Sequence, residues 1–430
     1  MAEPTVDVIV QIGARDVLAG RLWSHRRREH ESATFAYDTE YLGRSDSYEL
    51  DPALPLVAGP LQTPTGRQTF GAFSDCAPDR WGRRLIARTE RQRVEAEGGA
   101  QRSFGEMDYL LGVRDDLRQG ALRFRDPASA TYLADEADSV PPLVALPKLL
   151  NAAGRLEREQ ASDDELRMLL RGGSSLGGAR PKAHTVDRGG QPAIAKFPSP
   201  ISDDWDVIRW EAVALALAHD AGIRVPDNEL HRVDDKPVLI VVRFDRAGRQ
   251  RIAYVSAMTM LEAKDGDRAS YVDIAGVIET NSPNAGDDLR ELWRRVAFSI
   301  LISNTDDHLR NHGFLRTSSA GWSLSPAFDL NPDPRPGPKF LSTAIDRDDG
   351  AARLDPLLDL ASLFGLHDQD ARRVVGEVSA AISPWRSIAE RLGLSRSDIA
   401  QLTPAFEHDQ TDRARRLAAG EPIERGAGGL

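Results

Sequence analysis

Asn304-Thr305-Asp306-Asp307-His308-Leu309-Arg310-Asn311, followed by Phe328-Asp329-Leu330, holds the residue types of phosphoryl transfer in a workable order. An Asp can take the proton of a hydroxyl nucleophile. An Asn five positions on and a later Asp can then share the metal ions that hold nucleotide phosphates. On this reading Asp306 is the base, Asn311 and Asp329 are the metal ligands, and Asp307 is a bystander. Other readings stay open. Asn and Asp cap helices, Asp-x4-Asn arises by chance, and His308 with His312 at i, i+4 beside two Asp forms a metal-site pattern. A hydrolytic metal site needs a third or fourth ligand, and the remaining histidines are scattered, so His308 reads better as a brace for the loop.

Lys196 ends the apolar run Ala193-Ile194-Ala195-Lys196-Phe197, where strand alternation points it away from the neighbours of Ile194 and toward a cleft. An ammonium there needs an anion, and the α and β phosphates of ATP are suitable. The alternative is an edge-strand lysine with its head in water. Glu211, fifteen residues on, either pairs with Lys196 from a helix or faces solvent. Between Arg171 and Lys182 lies a loop with four glycines after Gly172 is counted, Gly172, Gly173, Gly177 and Gly178. Its backbone N–H groups can approach phosphate, yet it matches neither the P-loop spacing nor Gly-x-Gly-x-x-Gly. Ser174 and Ser175 inside it are phosphoacceptor candidates or ordinary turn residues.

These residues need elements to position them. Residues 6–12 and 17–23 read as paired strands about Gly13–Asp16, with Thr34–Asp38 as a third. Helices are expected at 78–95, opened by Pro78 and Asp79 and rich in Arg, and at 104–112. A linker at 126–142 follows. Helices at 142–157 and 162–170 then precede a hairpin, Lys182–Val186 with Ala193–Phe197, turning at Asp187–Gly190. A helix at 205–221 and an apolar strand from Lys236 to Phe244 come next. Leu289, Leu292, Trp293, Val296, Ile300 and Leu301 recur at helical spacing, so a helix over 286–303 delivers the chain to Asn304. A hairpin, Gly313–Arg316 with Trp322–Ser325, leads to Asp329, and helices fill 355–418. Glycine loop, strand lysine, helix glutamate, catalytic loop and final Asp follow the order of kinase-like folds.

At 430 residues the chain exceeds one ordinary core, and two or three domains or lobes are expected. The formal net charge of −11 disfavours a surface built mainly to grip nucleic acid, leaving open a local Arg patch or a basic partner. Cys76 is the only cysteine, so no intramolecular disulfide forms. The start shows no signal-peptide pattern, and no apolar stretch approaches ~18 residues. A cytoplasmic protein without membrane association is the expectation.

The catalytic-loop residues resemble the Asn-Thr-Asp-x-His-x-x-Asn segment of HipA-type serine/threonine kinases, the toxins of HipBA toxin–antitoxin pairs. Ala327–Leu330 is similar to that family's metal-binding segment, Ser175–Lys182 to its phosphate loop, and Ala195-Lys196-Phe197 to its ATP lysine. Arg243-Phe244-Asp245-Arg246 matches the motif after its hinge strand. In the N-terminal module, Phe35–Asp38 to Leu54-Pro55-Leu56 and Pro78–Arg84 around Trp81-Gly82-Arg83 are also similar, so the resemblance spans about residues 5–400. Two departures stand out. Arg180 occupies the place of a loop Gln, and Arg251–Met258 lacks the carboxylate run expected after Arg246.

The resemblance implies an α+β, two-lobed protein-kinase-like fold, with a mixed β/α N-terminal lobe and a mainly α-helical C-terminal lobe. It divides the chain into an N-terminal subdomain (1–125), the linker (126–142), a kinase domain (143–418) and a flexible tail (419–430). It implies ATP and Mg²⁺ as cofactors, with Asp306 as base and Asn311 and Asp329 as Mg²⁺ ligands. Ser175, Gly177, Gly178, Lys182, Lys196 and Glu211 belong to the ATP site, and Ser175 or the adjacent Ser174 is the autophosphorylation site. Phosphate on that serine would repel ATP and drive the loop outward. The implied partners are a protein substrate and a small HipB-like helix-turn-helix antitoxin, with DNA engaged only through the antitoxin. The rival functions are a small-molecule phosphotransferase and a pseudokinase co-repressor.

Overall fold

The computed structural model describes residues 5–27, 30–98, 104–134, 143–172, 180–347 and 349–422. Ser174, Ser175, Gly177 and Gly178 lie outside the described residues, as do much of the 126–142 linker and most of the tail. Two compact units cut across chain order. The first comprises Met1–Ser202, His231–Glu262 and Leu315–Ser319; the second comprises Asp203–Leu230, Ala263–Phe314 and Ala320–Leu430.

In the first unit, alternating and β-branched residues form β1 (Thr5–Ile12), β2 (Arg15–Arg27) and β3 (His30–Tyr37). With β4 (Pro60–Gln62) and β5 (Leu122–Arg125) they make an antiparallel sheet ordered β4-β3-β2-β1-β5. The sequence reading placed no strand at β4 or β5; both are too short to show a period. Gly20 of β2 is required by close approach, since a Cβ there would sit 2.2 Å from the Ala36 carbonyl oxygen. Phe35, Phe73 and Phe124 pack edge to face behind this sheet, with centroids 5.9 and 5.8 Å apart.

A second sheet of four strands belongs to the same unit, apart from residues 228–230 of its Asn228–Val233 strand. It is built from β6 (Lys182–Val186), β7 (Pro192–Lys196), β8 (Asn228–Val233) and β9 (Lys236–Val242). Asp187 fixes the β6–β7 turn by accepting the Gln191 N–H at 2.7 Å. Ala183, Ala193, Ala195, Val238 and Ile240 form one apolar face, covered by Leu149, Leu150, Leu156, Leu166 and Leu169 of the helices Leu146–Glu157 and Asp163–Arg171. Trp81, from the long helix Arg80–Glu97, enters the same core, and its Nε1–H donates to the Lys182 carbonyl at 3.2 Å. The segment around Trp81 therefore bolts the N-terminal strands to the β6–β9 sheet.

The Arg243–Arg246 motif supplies a second bolt. Arg243 donates to Asp245 (2.9 and 2.7 Å), to the Leu117 carbonyl (2.8 Å) and to the Arg118 carbonyl (3.0 Å). Arg246 reaches Asp245, Gly120 and Arg118, and Asp245 also accepts the Gly120 N–H at 2.8 Å. Burial pushes the Asp245 carboxyl up, but Arg243 and Arg246 outweigh it and hold it well below the usual carboxylate range.

The second unit is mainly helical. Its central helix, Ala285–Leu301, buries Leu289, Leu292, Trp293, Val296, Ile300 and Leu301, the stripe expected from sequence. Trp293 Nε1–H donates to the Leu357 carbonyl at 3.1 Å. Elsewhere Trp385 stacks on Phe406 with centroids 4.6 Å apart, and Trp210 of the Val207–Asp220 helix lies against both. Among the described residues no helix is long and apolar enough to cross a membrane.

Candidate active site

The helix Ala285–Leu301 ends where Ser303 adopts a left-handed backbone (φ +54°), with the Asn304 N–H donating back to the Ser299 carbonyl at 2.8 Å. The left-handed step turns the chain out of the helix and starts the loop that carries the candidate residues. Within the loop the His308 N–H donates to the Asp306 carbonyl at 3.0 Å, the Asn311 N–H to the His308 carbonyl at 2.8 Å, and Asn311 Nδ2 to the Asp306 carbonyl at 3.0 Å. These bonds hold Asp306 and Asn311 on one tight turn. Asp306 is exposed and Asn311 is buried.

The segment carrying Asp329 is stitched to this loop. Asn304 Oδ1 accepts the Asn331 N–H at 3.2 Å, and Asn331 Nδ2 donates to the Asp329 carbonyl at 3.1 Å. The Asp333 N–H donates to the Ser303 carbonyl at 3.1 Å, and Thr305 Oγ1 donates to Asp333 Oδ2 at 3.1 Å. Asp329 also has a left-handed backbone (φ +56°), a conformation that non-glycine residues keep only where the surroundings dictate it. Asp306, Asn311 and Asp329 are thus gathered at one end of the second unit. Sequence reasoning quoted Asn304 as part of the loop motif without giving it a role and passed over Asn331 and Asp333; the three together do the gathering.

Asp307 is not the bystander expected from sequence. It is 4% exposed, accepts the Tyr271 hydroxyl at 2.6 Å, and stands 3.2 Å from His312 Nε2. Burial pushes its carboxyl up, but His312, the Tyr271 hydroxyl and His308 outweigh that and hold it below its ordinary value. The carboxylate anchors the loop from beneath and leaves its neighbour Asp306 facing outward. His312 is accordingly engaged with Asp307, and the described residues contain no group of three His, Cys, Asp or Glu that could hold a metal. His308 braces the loop through its backbone.

Oxygen donors suited to Mg²⁺ nevertheless remain. Asn311 commits its amide nitrogen to the Asp306 carbonyl, so Oδ1 is the atom of its side chain that can serve as a ligand, and Asp329 adds a carboxylate. An amide oxygen and a carboxylate are the hard ligands that Mg²⁺ takes alongside phosphate and water. The residues present fit the ion.

In the first unit, Lys182 of β6 and Lys196 of β7 are direct cross-strand partners, so their side chains share one face of the sheet. Ala193, Ala195 and Phe197 have no exposure and fill the opposite face, while Lys196 lies half-buried with Ile194. Two ammonium groups side by side repel unless anions attend them. Asp79 supplies one, with its carboxylate 2.5 Å from Lys182 Nζ and both side chains under a tenth exposed. Lys182, assigned from sequence to ATP, therefore has a structural anion already. Glu211, the sequence candidate for pairing with Lys196, is buried on the Val207–Asp220 helix of the second unit.

Residues 10–113 match the HipA N-terminal domain, and residues 174–385 match the HipA-like C-terminal domain. Over 135 residues the chain is 26% identical to a Haemophilus influenzae protein named "Putative kinase"; the aligned segment covers 28% of this chain and 39% of that relative. Among solved structures the chain is similar to HipA in the Shewanella oneidensis complex of HipA, HipB and operator DNA. That match has a TM-score of 0.63 at 15% identity, covering 97% of this chain and all (100%) of the other. It is also similar to the Helicobacter pylori proinflammatory kinase CtkA, with a TM-score of 0.45 at 18% identity, covering 57% and 94%. The fold expected from sequence is the one present: α+β, kinase-like and two-lobed, with antiparallel sheets.

Proposed function

The chain belongs to the HipA family, and from that premise we propose that it transfers the γ-phosphate of ATP to a serine or threonine of a protein substrate. One observation carries the reading: the Asn304–Asn331 stitch that gathers exposed Asp306, Asn311 and Asp329 at one end of the second unit. Asp306 accepts the proton of the substrate hydroxyl as its oxygen bonds to the γ-phosphorus. The bond from that phosphorus to the β–γ bridging oxygen breaks, and ADP leaves. Asn311 and Asp329 would hold Mg²⁺, which when bound neutralises phosphate charge. Lys196 supplies fixed positive charge for the α and β phosphates, while the charge of Lys182 beside it is taken up by Asp79.

The finer assignments follow the same reading. Ser175, or Ser174 next to it, is the autophosphorylation site, and phosphate there switches the kinase off by repelling ATP. A helix-turn-helix antitoxin binds the chain, by analogy with the similar HipA that was solved with HipB and operator DNA. The test is phosphoproteomics of a lysate treated with ATP, Mg²⁺ and either wild-type protein or Asp306→Asn. Discrete Ser/Thr phosphoproteins made only by the wild type are expected. Phosphate appearing solely on small molecules would overturn the protein-kinase reading, and equal transfer by the variant would overturn the mechanism.

A further inference from the structure

The helix Arg80–Glu97 has a surface that its packing does not explain. Trp81 and Leu85 face the core, and Arg83 is held by Glu106 on two bonds of 2.5 and 2.6 Å. Arg93, on the far side, pairs with Glu90 at 2.9 Å. Arg80, Arg84, Arg88 and Arg91 remain. At about 100° per residue they fall within roughly 80° of arc, a single stripe about 16 Å long. Arg80, Arg84 and Arg91 are exposed and Arg88 is half-buried, and among the described residues none of the four has an ionic partner.

Stability does not account for the stripe. Like charges at i, i+4 destabilise a helix, and cations in the first turn oppose the helix dipole. This helix has no acidic residue in its first turn and no basic residue in its last. Nor is the stripe a general feature of the surface, because the chain as a whole carries a net charge of −11. Four unpaired arginines collected on one face offer an anion from outside a row of positioned charges.

We propose that this stripe binds the phosphate backbone of a nucleic-acid duplex. A protein partner would need apolar or aromatic anchors at the centre of its footprint, and none of the exposed large hydrophobic residues, Leu56, Val57, Ile201, Phe340 and Leu363, lies on this helix. Phosphate binding needs only positioned charge and carries no base specificity. Arginines one helical turn apart stand about 5–6 Å from each other, a spacing at which each can take a separate phosphate. The surface lies in the N-terminal module, makes no use of the catalytic loop, and does not depend on kinase activity.

Fluorescence anisotropy of the full-length chain with a labelled mixed-sequence duplex, titrated with salt, tests this. Wild-type association should weaken with salt at a log–log slope of about −3.6, the value for four phosphate contacts. Arg84→Gln/Arg88→Gln/Arg91→Gln should reduce the magnitude of that slope by about 2.7 while its melting temperature stays at the wild-type value. Arg93→Gln should bind as wild type does. An unchanged slope in the triple variant overturns the proposal, as does the absence of wild-type association at low salt. Association with polyglutamate but not with duplex would make the stripe a docking face for an acidic protein instead, and would equally overturn it.

Discussion

The Arg243–Arg246 segment of the first unit and the Asn304–Asn311 segment of the second each bury an aspartate among donors, with opposite results. Asp245 is enclosed by Arg243, Arg246 and the Gly120 N–H, and the arginines spend their remaining donors on the carbonyls of Leu117, Arg118 and Gly120. Every charge there is consumed in joining two stretches of chain. Asp307 is enclosed by Tyr271 and His312, and the consequence of its burial is that Asp306 is turned outward with nothing spent on it but backbone. The first cluster is an end in itself. The second is a foundation, and the proposed chemistry rests on the residue beside the buried one.

The sharpest way to break this contrast is to remove the outward carboxylate. Asp306→Asn should lower phosphate transfer by about 10²–10⁴-fold, the range for loss of a general base. It should leave stability within about 0.5 kcal/mol, because Asp306 is exposed. Transfer measured with radiolabelled ATP, alongside a thermal melt, checks both parts. A variant that unfolds with its activity would place Asp306 in the same class as Asp245.

The converse substitution acts on stability. Asp245→Asn leaves two buried guanidinium groups without their counter-ion, and a loss of about 3–5 kcal/mol is expected in denaturant unfolding. The pH sign follows from the depressed folded-state value. Asp245 contributes stability above its unfolded pKa of about 3.9, and that contribution is lost as pH falls toward the folded value. The wild type should therefore lose stability below about pH 4 more steeply than the variant.

The foundation can be loosened more gently. Tyr271→Phe removes the 2.6 Å hydroxyl donor from Asp307, and about 1.5–3 kcal/mol of stability should go with it. Because Asp307 holds Asp306 in position, kcat should fall while the KM for ATP stays close to wild type. A fall in stability with unchanged kcat would show that Asp307 holds the helix end and not the base.

What sequence could reveal divides along the same line. The catalytic spacing, the Ala285–Leu301 stripe and the β6–β7 hairpin are local patterns, and periodicity or turn chemistry displays them. The partners of Arg243 and Arg246 at Leu117–Gly120, and of Lys182 at Asp79, lie more than a hundred positions away, where no period connects them. Asp306 and Asp307 are adjacent and identical in type. Only the burial of one beneath the other separates their roles, and burial is set by Tyr271, on another helix.

Asp51 supplies a third case that neither class covers, a buried carboxylate without a cation in contact among the described residues. It accepts the N–H groups of Ala72 at 2.7 Å and Ala53 at 2.8 Å and is 2% exposed. Burial raises its pKa to about 6, helped by Asp75 and opposed by those N–H groups and by Arg67. With the folded value above the unfolded one, the sign is opposite to that of Asp245. The stabilising contribution is complete below about pH 3.9 and is lost as pH rises through about 6. Between pH 7 and pH 4 it should amount to on the order of 2 kcal/mol, at the small end of these effects. Asp51→Asn keeps an acceptor for the two N–H groups and removes the charge, so it should lack this pH dependence, and the wild-type and variant free energies should diverge over that window. If unfolding free energies of wild type and variant run parallel from pH 4 to pH 7, Asp51 is held ionised by its hydrogen bonds alone, and buried carboxylates in this protein do not need a cation to stay charged.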